Sequence, residues 1–177
     1  MIDELFGLSG KTALITGGGS GIGAMIVHGF AHAGAHVIIC SRKLHQVKET
    51  AAQVNGTNPS GSVEAFSGDV SSEEGIEAIV TEVNKRTDKL NILVNNAGIS
   101  WGAPLGEFPH SAWEKVMNVN VAGLAHLTQQ LLPILIKTAS DEDPARVLNL
   151  GSVMGKHPLA DGAYSYSASK AAVHHLT

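Results

Sequence analysis

The sequence contains little of what several classes of protein require. Cys40 is the only cysteine among 177 residues, so neither an intramolecular disulfide framework nor a thiolate zinc cluster is expected. No Lys/Arg-rich tract is present and the formal net charge is −4, which argues against a nucleic-acid or anionic-membrane surface. The amino terminus lacks the basic region and long apolar segment of a signal peptide. From the sequence we expect no apolar run to be long enough to cross a bilayer. We therefore expect a cytoplasmic protein that needs no membrane or nucleic-acid partner.

The histidine side chains are the remaining candidates for metal ligands. The sequence has nine histidines, and His28 and His32 are spaced for one face of a helix, as in a metal-binding pair. No Glu follows His28, and no third ligand is evident nearby. The expectation is that the protein has no metal site.

Glycine and aliphatic side chains are what the chain has in quantity. Hydrophobic residues make up 44% of the sequence and aromatic residues only 5%, while glycine occurs 20 times. This composition suits helices packed against a buried sheet, and a chain of this length can form one domain with a substantial core. We expect residues 1–177 to form a single α/β domain.

The amino-terminal part follows a strand, turn, helix, strand pattern. A short apolar run over Lys11–Thr16 predicts a buried strand, and His36–Cys40 predicts a second one. Between them a helical pattern extends over residues 22–33. Its expected core-facing residues are Ile22, Ile26, Val27 and Phe30. Such a unit begins a doubly wound, Rossmann-type parallel sheet with helices on both faces.

The turn between the first strand and its helix is rich in glycine. The spacing Gly17-x-x-x-Gly21-x-Gly23 provides backbone angles that only glycine adopts freely. Bare backbone also lets a pyrophosphate approach the N–H groups at the start of the following helix. The alternative is an ordinary glycine-rich loop, but the flanking strand and helix favour a phosphate-binding turn.

The end of the second strand bears on the choice of cofactor. An NAD site usually places Asp or Glu there to hold the ribose 2′-hydroxyl, whereas this chain has Ser41 and Arg42, followed by Lys43. A 2′-phosphate would meet a hydroxyl and a guanidinium, with no carboxylate to repel it. The pattern favours NADP over NAD; alternatively, Arg42 and Lys43 only begin a solvated helix.

Three further strands are predicted, over Val63–Phe66, Leu90–Val94 and Ala145–Leu150. Polar or small residues follow each of them, at the edge where doubly wound sheets bind ligands. They are Gly68-Asp69-Val70, then Asn95-Asn96-Ala97-Gly98, then Gly151-Ser152. Asp69 can accept a hydrogen bond from an adenine amino group or simply form a turn. Ser152 can donate to a substrate carbonyl or simply cap a turn.

Helices are expected between these strands, and one of them carries an asparagine that needs partners. The predicted ranges are residues 43–54, 73–86 and 111–137, and Pro133 should kink the last helix or begin its final segment. Asn120 lies among apolar neighbours in that helix, and a buried asparagine requires hydrogen-bond partners. The spacing leaves open whether those partners serve structure or function.

A tyrosine and a lysine in the last predicted helix are four residues apart. Tyr166 and Lys170 therefore face the same side of that helix, whereas Tyr164 has Ala168 at the same spacing. A free phenol titrates near pH ~10, and a neighbouring ammonium group favours its ionised form. The pair suits a general acid/base, although alone it is weak evidence, since the same spacing often arises in a surface helix pair.

Together these residues resemble the short-chain dehydrogenase/reductase family in its single-domain form. The matching residues run in the family's order and cover nearly the whole chain: Thr16 and Gly17 to Gly23, Asp69-Val70, Asn95 to Gly98, Asn120, Ser152, Tyr166 and Lys170. The segments SWGAPL, WEKVMNVN, QQLLP and ARVLNLGSV resemble, more narrowly, the 3-oxoacyl-carrier-protein reductase branch, including reductases of rhamnolipid synthesis.

The resemblance implies a role for each of these residues. Tyr166 exchanges a proton with the carbonyl or alcohol, Lys170 binds the nicotinamide ribose and favours the phenolate, and Ser152 orients the carbonyl. Asn120 holds a water molecule in a proton relay. The residues implied to contact the cofactor, NADP(H) in preference to NAD, are Gly17, Ser20, Gly21, Ile22, Gly23, Ser41, Arg42, Asp69, Val70, Asn96, Ala97, Gly98, Tyr166 and Lys170.

The resemblance also sets the expected function, an oxidoreductase that transfers a hydride between NADP(H) and a carbonyl or alcohol. A 3-oxoacyl thioester is one candidate substrate. Family members continue past the position of Thr177 with two strands, a substrate lid and a dimer-forming segment. We therefore expect the sequence to lack its carboxyl-terminal part, the strand at residues 145–150 to be an exposed apolar edge, and the full-length form to be a homodimer or homotetramer. The alternative is a truncated, inactive product that binds nucleotide or a partner chain.

Overall fold

The computed structural model describes residues 5–157 and 162–177 and alternates strands with helices. The strands β1 to β5 are Thr12–Thr16, His36–Ser41, Ser62–Ser67, Ile92–Asn95 and Arg146–Asn149. The helices α1 to α6 are Gly21–His32, Leu44–Gly56, Glu73–Arg86, His110–Met117, Leu124–Thr138 and Tyr164–Leu176. The predicted strand and helix boundaries agree with these ranges to within two residues, with one interruption described below.

The five strands form one parallel sheet in the order β3-β2-β1-β4-β5. β1 lies at the centre, where Leu14 pairs with Ile38 of β2 on one side and with Leu93 of β4 on the other. The chain therefore winds outward through β2 and β3, then returns across β1 to β4 and β5. This reversal creates a crevice at the carboxyl ends of β1 and β4, and the doubly wound fold expected from the sequence is confirmed.

Helices cover both faces of the sheet because neighbouring residues of each strand point to opposite sides. On one face Leu14 packs in a cluster with Ile79 of α3 and with Leu127 and Leu131 of α5. On the other face Ile15 packs with Val27 of α1, and with Val47, Ala51 and Val54 of α2. The central strands are therefore buried on both sides, which accounts for their almost continuous apolar sequence.

One residue of α1 does not face the core as predicted. Val27 is fully buried, and Ile26 and Phe30 pack against the same cluster, but Ile22 is 60% exposed. The first turn of α1 lies beyond the carboxyl edge of the sheet, so Ile22 lines a cleft there instead of contacting the strands.

Helices α4 and α5 join into one helical run, His110–Thr138, through a π-helical segment, Asn118–Gly123. The sequence predicts a single helix here but not this segment. Pro133 does not begin a separate final segment, because α5 continues through it to Thr138, and a kink at this residue stays a prediction. Contrary to our expectation, the run is long and apolar enough by composition to cross a membrane, although Leu127 and Leu131 are buried against the sheet as in a core helix.

Strand β5 forms one edge of the sheet. Val147 and Leu148, in the middle of this short strand, are 38% and 41% exposed. The exposed apolar edge expected from the sequence is therefore observed in the described part of the chain.

Candidate active site

Two adjoining clefts lie at the carboxyl edge of the sheet. The first has a volume of about 170 Å³ and the second about 430 Å³, and both are lined by Gly98 and Ile99. Among the predicted site residues, those lining the first cleft are Gly17, Ser41, Arg42, Asp69, Val70, Ala97 and Gly98. Those lining the second are Ile22, Asn96, Gly98, Tyr166 and Lys170. The sheet topology thus brings most of the predicted residues together.

The glycine-rich turn after β1 is closed by the residues around it. Gly17 has a φ of +68° and donates its N–H to the Cys40 carbonyl at 2.8 Å. A Cβ on Gly23 would lie 2.2 Å from the Gly17 carbonyl oxygen. The first turn of α1 can therefore approach the strand end only because position 23 carries no side chain.

The start of α1 leaves groups available to an anion. Ser20 precedes the helix, is exposed, and makes no capping hydrogen bond with its side chain. Gly21 has a φ of +52° and open space around it, and the first turn contains no acidic residue. The unpaired N–H groups of a helix start, together with a free hydroxyl, form a cradle for phosphate oxygens.

Asn96 and Thr16 tie the ends of β1 and β4 together. The Asn96 side-chain amide donates to the carbonyls of Thr16 and Gly17, at 2.9 and 3.1 Å. The Thr16 hydroxyl oxygen in turn accepts the backbone N–H groups of Asn96 and Ala97, at 3.1 and 3.0 Å. Asn96 therefore holds the shape of the glycine-rich turn as well as lining the second cleft.

The first cleft combines two exposed cations with one carboxylate. Arg42 and Lys43 line it, and within the described ranges Arg42 forms no ion pair. The Ser41 hydroxyl bonds the backbone of Lys43. Asp69 accepts the N–H of Ser71 at 2.9 Å, so the turn-forming alternative for Asp69 is observed and one carboxylate oxygen remains available.

Two other polar groups have structural explanations. Burial raises the pKa of the Cys40 thiol to about 12, so this residue stays protonated beside the first cleft. His28 and His32 stack with ring centres 6.4 Å apart, and His32 Nε2 lies 3.1 Å from the Thr57 hydroxyl. No group of three potential metal ligands occurs in the parts of the chain that the structure describes.

Tyr166 and Lys170 lie on one face of α6, in the second cleft. Lys170 is only 6% exposed, which is inconsistent with a surface pair, and burial lowers the pKa of its ammonium group. Its Nζ lies 5.7 Å from the centre of the Tyr166 ring and donates to the Leu150 carbonyl at 2.5 Å. A half-buried phenol next to a buried cation can exchange a proton with a molecule in the cleft.

Asn120 lies in the π-helical segment and is buried, with 1% exposure. Its side chain accepts the Ile99 N–H and donates to the Ile99 carbonyl, both at 2.9 Å. It also donates to the Ser169 hydroxyl at 2.9 Å, and that hydroxyl donates to the Tyr166 carbonyl at 2.7 Å. The side chain thus connects the loop after β4 to the helix that carries Tyr166 and Lys170.

Ser152 follows β5, between Gly151 and Met154, both of which line the second cleft. Its hydroxyl oxygen accepts the Met154 N–H at 3.2 Å, so the turn-capping alternative is observed. Its own N–H donates to His174 Nε2 at 3.3 Å. Sequence reasoning missed His174, although it continues the four-residue spacing of Tyr166 and Lys170. Trp101 is 45% exposed and lines neither of these two clefts.

Comparison with known proteins agrees with this geometry. The sequence model of a family described as short chain dehydrogenase matches residues 11–177. The chain belongs to the short-chain dehydrogenase family. It is 46% identical over 172 residues to the rhamnolipids biosynthesis 3-oxoacyl-[acyl-carrier-protein] reductase of Pseudomonas aeruginosa. It is 33% identical over 170 residues to a 3-oxoacyl-[acyl-carrier-protein] reductase of Thermotoga maritima.

Solved structures of short-chain dehydrogenases superpose closely on the chain. An NADP active-site complex of the Pseudomonas aeruginosa protein RhlG matches with a TM-score of 0.92 and 46% identity, covering 97% of this chain and 66% of that one. An NADP-bound 3-oxoacyl (acyl-carrier-protein) reductase of Agrobacterium tumefaciens matches with a TM-score of 0.88 and 29% identity, covering 99% and 65%. The chain thus spans about two-thirds of the length of these proteins. The alignments with the Pseudomonas aeruginosa and Thermotoga maritima reductases include 97% and 96% of this chain, and 66% of each reductase.

Proposed function

We propose that the protein is an NADP(H)-dependent reductase of carbonyl compounds, in which residues 1–177 supply the dinucleotide-binding and catalytic domain. One observation carries the proposal: Tyr166 and the buried Lys170 lie in a cleft that shares Gly98 with the cleft beneath the glycine-rich turn. The start of α1 borders the cleft of Tyr166 and Lys170 through Ile22, next to the proposed phosphate cradle. The similarity to reductases, one of them with NADP bound, supports this assignment.

The residues at the sheet edge fit NADP(H). The phosphate cradle at the start of α1 suits the pyrophosphate because its glycines leave the backbone bare. Arg42 and Lys43, with Ser41 beside them, suit the 2′-phosphate that distinguishes NADP from NAD. The free oxygen of Asp69 and the apolar side chain of Val70 suit the adenine ring.

Three side chains are proposed to act on the carbonyl: Tyr166 and Lys170, which line the second cleft, and Ser152, which lies in the turn at its rim. NADPH, when bound, supplies the hydride that reduces the carbonyl carbon. Tyr166 donates its phenol proton to the carbonyl oxygen, and the ammonium group of Lys170 stabilises the negative charge left on the tyrosine. The Ser152 oxygen already accepts the Met154 N–H, so its hydrogen is free to point at the same carbonyl oxygen.

Two asparagines support this arrangement by holding the surrounding backbone in place. Asn96 maintains the turn that faces the phosphates, and Ala97 and Gly98 pass beside the cofactor. Asn120 sets the distance between the loop at Ile99 and α6, which positions Tyr166 and Lys170. Asn120 also remains the candidate for holding a relay water.

The lining of the second cleft favours a substrate with an apolar chain. Ile22, Ile99, Leu150 and Met154 contribute apolar side chains next to Tyr166. A 3-oxoacyl thioester has both the carbonyl and the hydrocarbon chain that such a cleft accommodates. The name of the Pseudomonas aeruginosa relative specifies a 3-oxoacyl substrate of this kind. We further propose that the complete protein is cytoplasmic and assembles as a homodimer or homotetramer.

Substitution of the two tyrosines at the start of α6 tests the reductase function in the complete protein. Tyr166→Phe should lower kcat for carbonyl-dependent NADPH oxidation by about 10²–10⁴-fold, because the proton donor is lost, with NADPH affinity unchanged. Tyr164→Phe is the matched control: its ring packs against Phe108, with centres 5.5 Å apart, and Ala168 takes the place of a lysine four residues later. Full activity in Tyr166→Phe would refute the mechanism, and wild-type protein that binds NADPH but reduces no carbonyl would favour the inactive alternative.

A further inference from the structure

His174 lies beneath the turn that carries Ser152 and has no role in the mechanism above. It follows Lys170 by four residues on α6, so Tyr166, Lys170 and His174 share one face of that helix. The first two residues face the second cleft, and the third contacts the turn at its rim.

The contact defines the protonation state of the ring. His174 Nε2 lies 3.3 Å from the backbone nitrogen of Ser152, which is a donor only. Nε2 must therefore be the unprotonated nitrogen, so a neutral ring carries its hydrogen on Nδ1. Nδ1 is buried and has no hydrogen-bond partner among the described residues. Within the described ranges one ring nitrogen is thus unpaired, while the other holds the Ser152 backbone.

The turn is shaped around this ring. A Cβ on Gly151 would lie 2.5 Å from His174 Nε2, and a Cβ on Gly155 would lie 2.8 Å from His174 Cε1 and 2.7 Å from the Lys170 carbonyl carbon. Neither glycine has a positive φ, so the backbone itself would tolerate a side chain at both positions. The two glycines form a slot that the imidazole fills, and the slot brackets Ser152 on both sides.

We propose that His174 is a positioning residue for Ser152. Its imidazole fixes the Ser152 backbone through Nε2, while the Met154 N–H fixes the Ser152 side-chain oxygen. When the backbone and the side-chain oxygen of Ser152 are both held, only the direction of the hydroxyl hydrogen can change. The carbonyl oxygen of a substrate can then accept that hydrogen in a hydrogen bond. The inference rests on the proposed function, because the orientation of Ser152 matters only if a carbonyl binds in the second cleft.

Three variants of the complete protein test this role. His174→Leu removes the acceptor and should lower kcat by about tenfold with KM for NADPH and for the carbonyl substrate within twofold of wild type. His174→Gln keeps an acceptor at the same distance along the side chain and should recover most of that loss. His175→Leu alters the neighbouring exposed histidine and should behave as wild type. Equal losses in His174→Leu and His174→Gln, or full activity in His174→Leu, would overturn the proposal.

A spectroscopic measurement tests the contact without any variant. In protein labelled with ¹⁵N at histidine, the neutral His174 ring should carry its hydrogen on Nδ1 and leave Nε2 unprotonated. A protonated Nε2 cannot accept the Ser152 N–H and would overturn the proposal even if His174→Leu fails to fold. Absence of turnover in the wild-type protein would instead count against the reductase function, because the tautomer is read without turnover.

Discussion

Two glycines on the same helix should respond in opposite ways to the same substitution. Gly23 lies in the first turn of α1, and Gly29 lies two turns later on its exposed side. In Gly23→Ala the new methyl group would lie 2.2 Å from the Gly17 carbonyl oxygen and 2.5 Å from the Asn96 amide nitrogen. In Gly29→Ala it would meet no described atom within 4 Å apart from the neighbouring backbone of its own helix.

The magnitudes follow from these distances. A carbon–oxygen separation of 2.2 Å is roughly 1 Å shorter than contact, so α1 or the turn must move. The Gly17 carbonyl cannot easily yield, because it accepts a hydrogen bond from Asn96 and closes the turn. Gly23→Ala should therefore cost about 3 kcal/mol of unfolding free energy. Gly29→Ala should add about 0.5–1 kcal/mol through helix propensity.

Urea denaturation and titration with NADPH separate the two outcomes. Gly23→Ala should lower the denaturation midpoint and weaken NADPH binding, because the displaced turn is the one expected to face the phosphates. Gly29→Ala should raise the midpoint and leave binding unchanged. If the two variants have similar stability, the close approach of α1 to Gly17 is wrong. If Gly23→Ala binds NADPH normally, the phosphate-binding role of the turn is wrong.

Three further substitutions test separate parts of the site. Because burial lowers the pKa of Lys170, the unfolded chain binds that proton more tightly than the folded one. The unfolding free energy of the wild type should therefore rise relative to that of Lys170→Met between pH 7 and about 10, where an unperturbed lysine titrates. Urea denaturation at both pH values measures the difference, and an unchanged difference would contradict the prediction. Arg42→Glu should weaken NADPH binding by about tenfold or more without weakening NADH binding, as measured by fluorescence titration, and an equal effect on both would refute the 2′-phosphate assignment. Asn120→Leu should cost about 2–4 kcal/mol in chemical denaturation, because it strands both backbone groups of Ile99; a change below about 0.5 kcal/mol would contradict the network.

Features encoded by local patterns were predictable from the sequence. The β1 strand is an apolar run followed at once by the glycine-rich turn, and both were found where the pattern predicts them. The strand ends then place Arg42, Asp69 and Gly98 at one edge, because all five strands run parallel. Sequence patterns therefore predicted part of the lining of both clefts, but not Ile99, Leu150 or Met154.

Features that depend on contacts between distant residues were not predictable. Helical periodicity identifies the inner face of α1, but it cannot show that Ile22 lies beyond the sheet edge. The partners of Asn120 come from a loop 21 residues away and from Ser169, and the π-helical segment that orients it has no simple sequence signature. His174 meets Ser152 across 22 residues, and only the fold joins them.

The strand order also dictates the sequence of events by which the chain can fold. β1, β2 and β3 are consecutive both in the chain and in one half of the sheet, so this half can assemble early in synthesis from contacts of modest separation. The other half begins only when β4 returns to β1, a step marked by the Thr12 N–H bonding Asn91 across 79 residues. Closing so long a loop is slow, and until it happens one flank of β1 stays open to other chains. The glycine-rich turn is complete only afterwards, because Asn96, which holds it, arrives with β4.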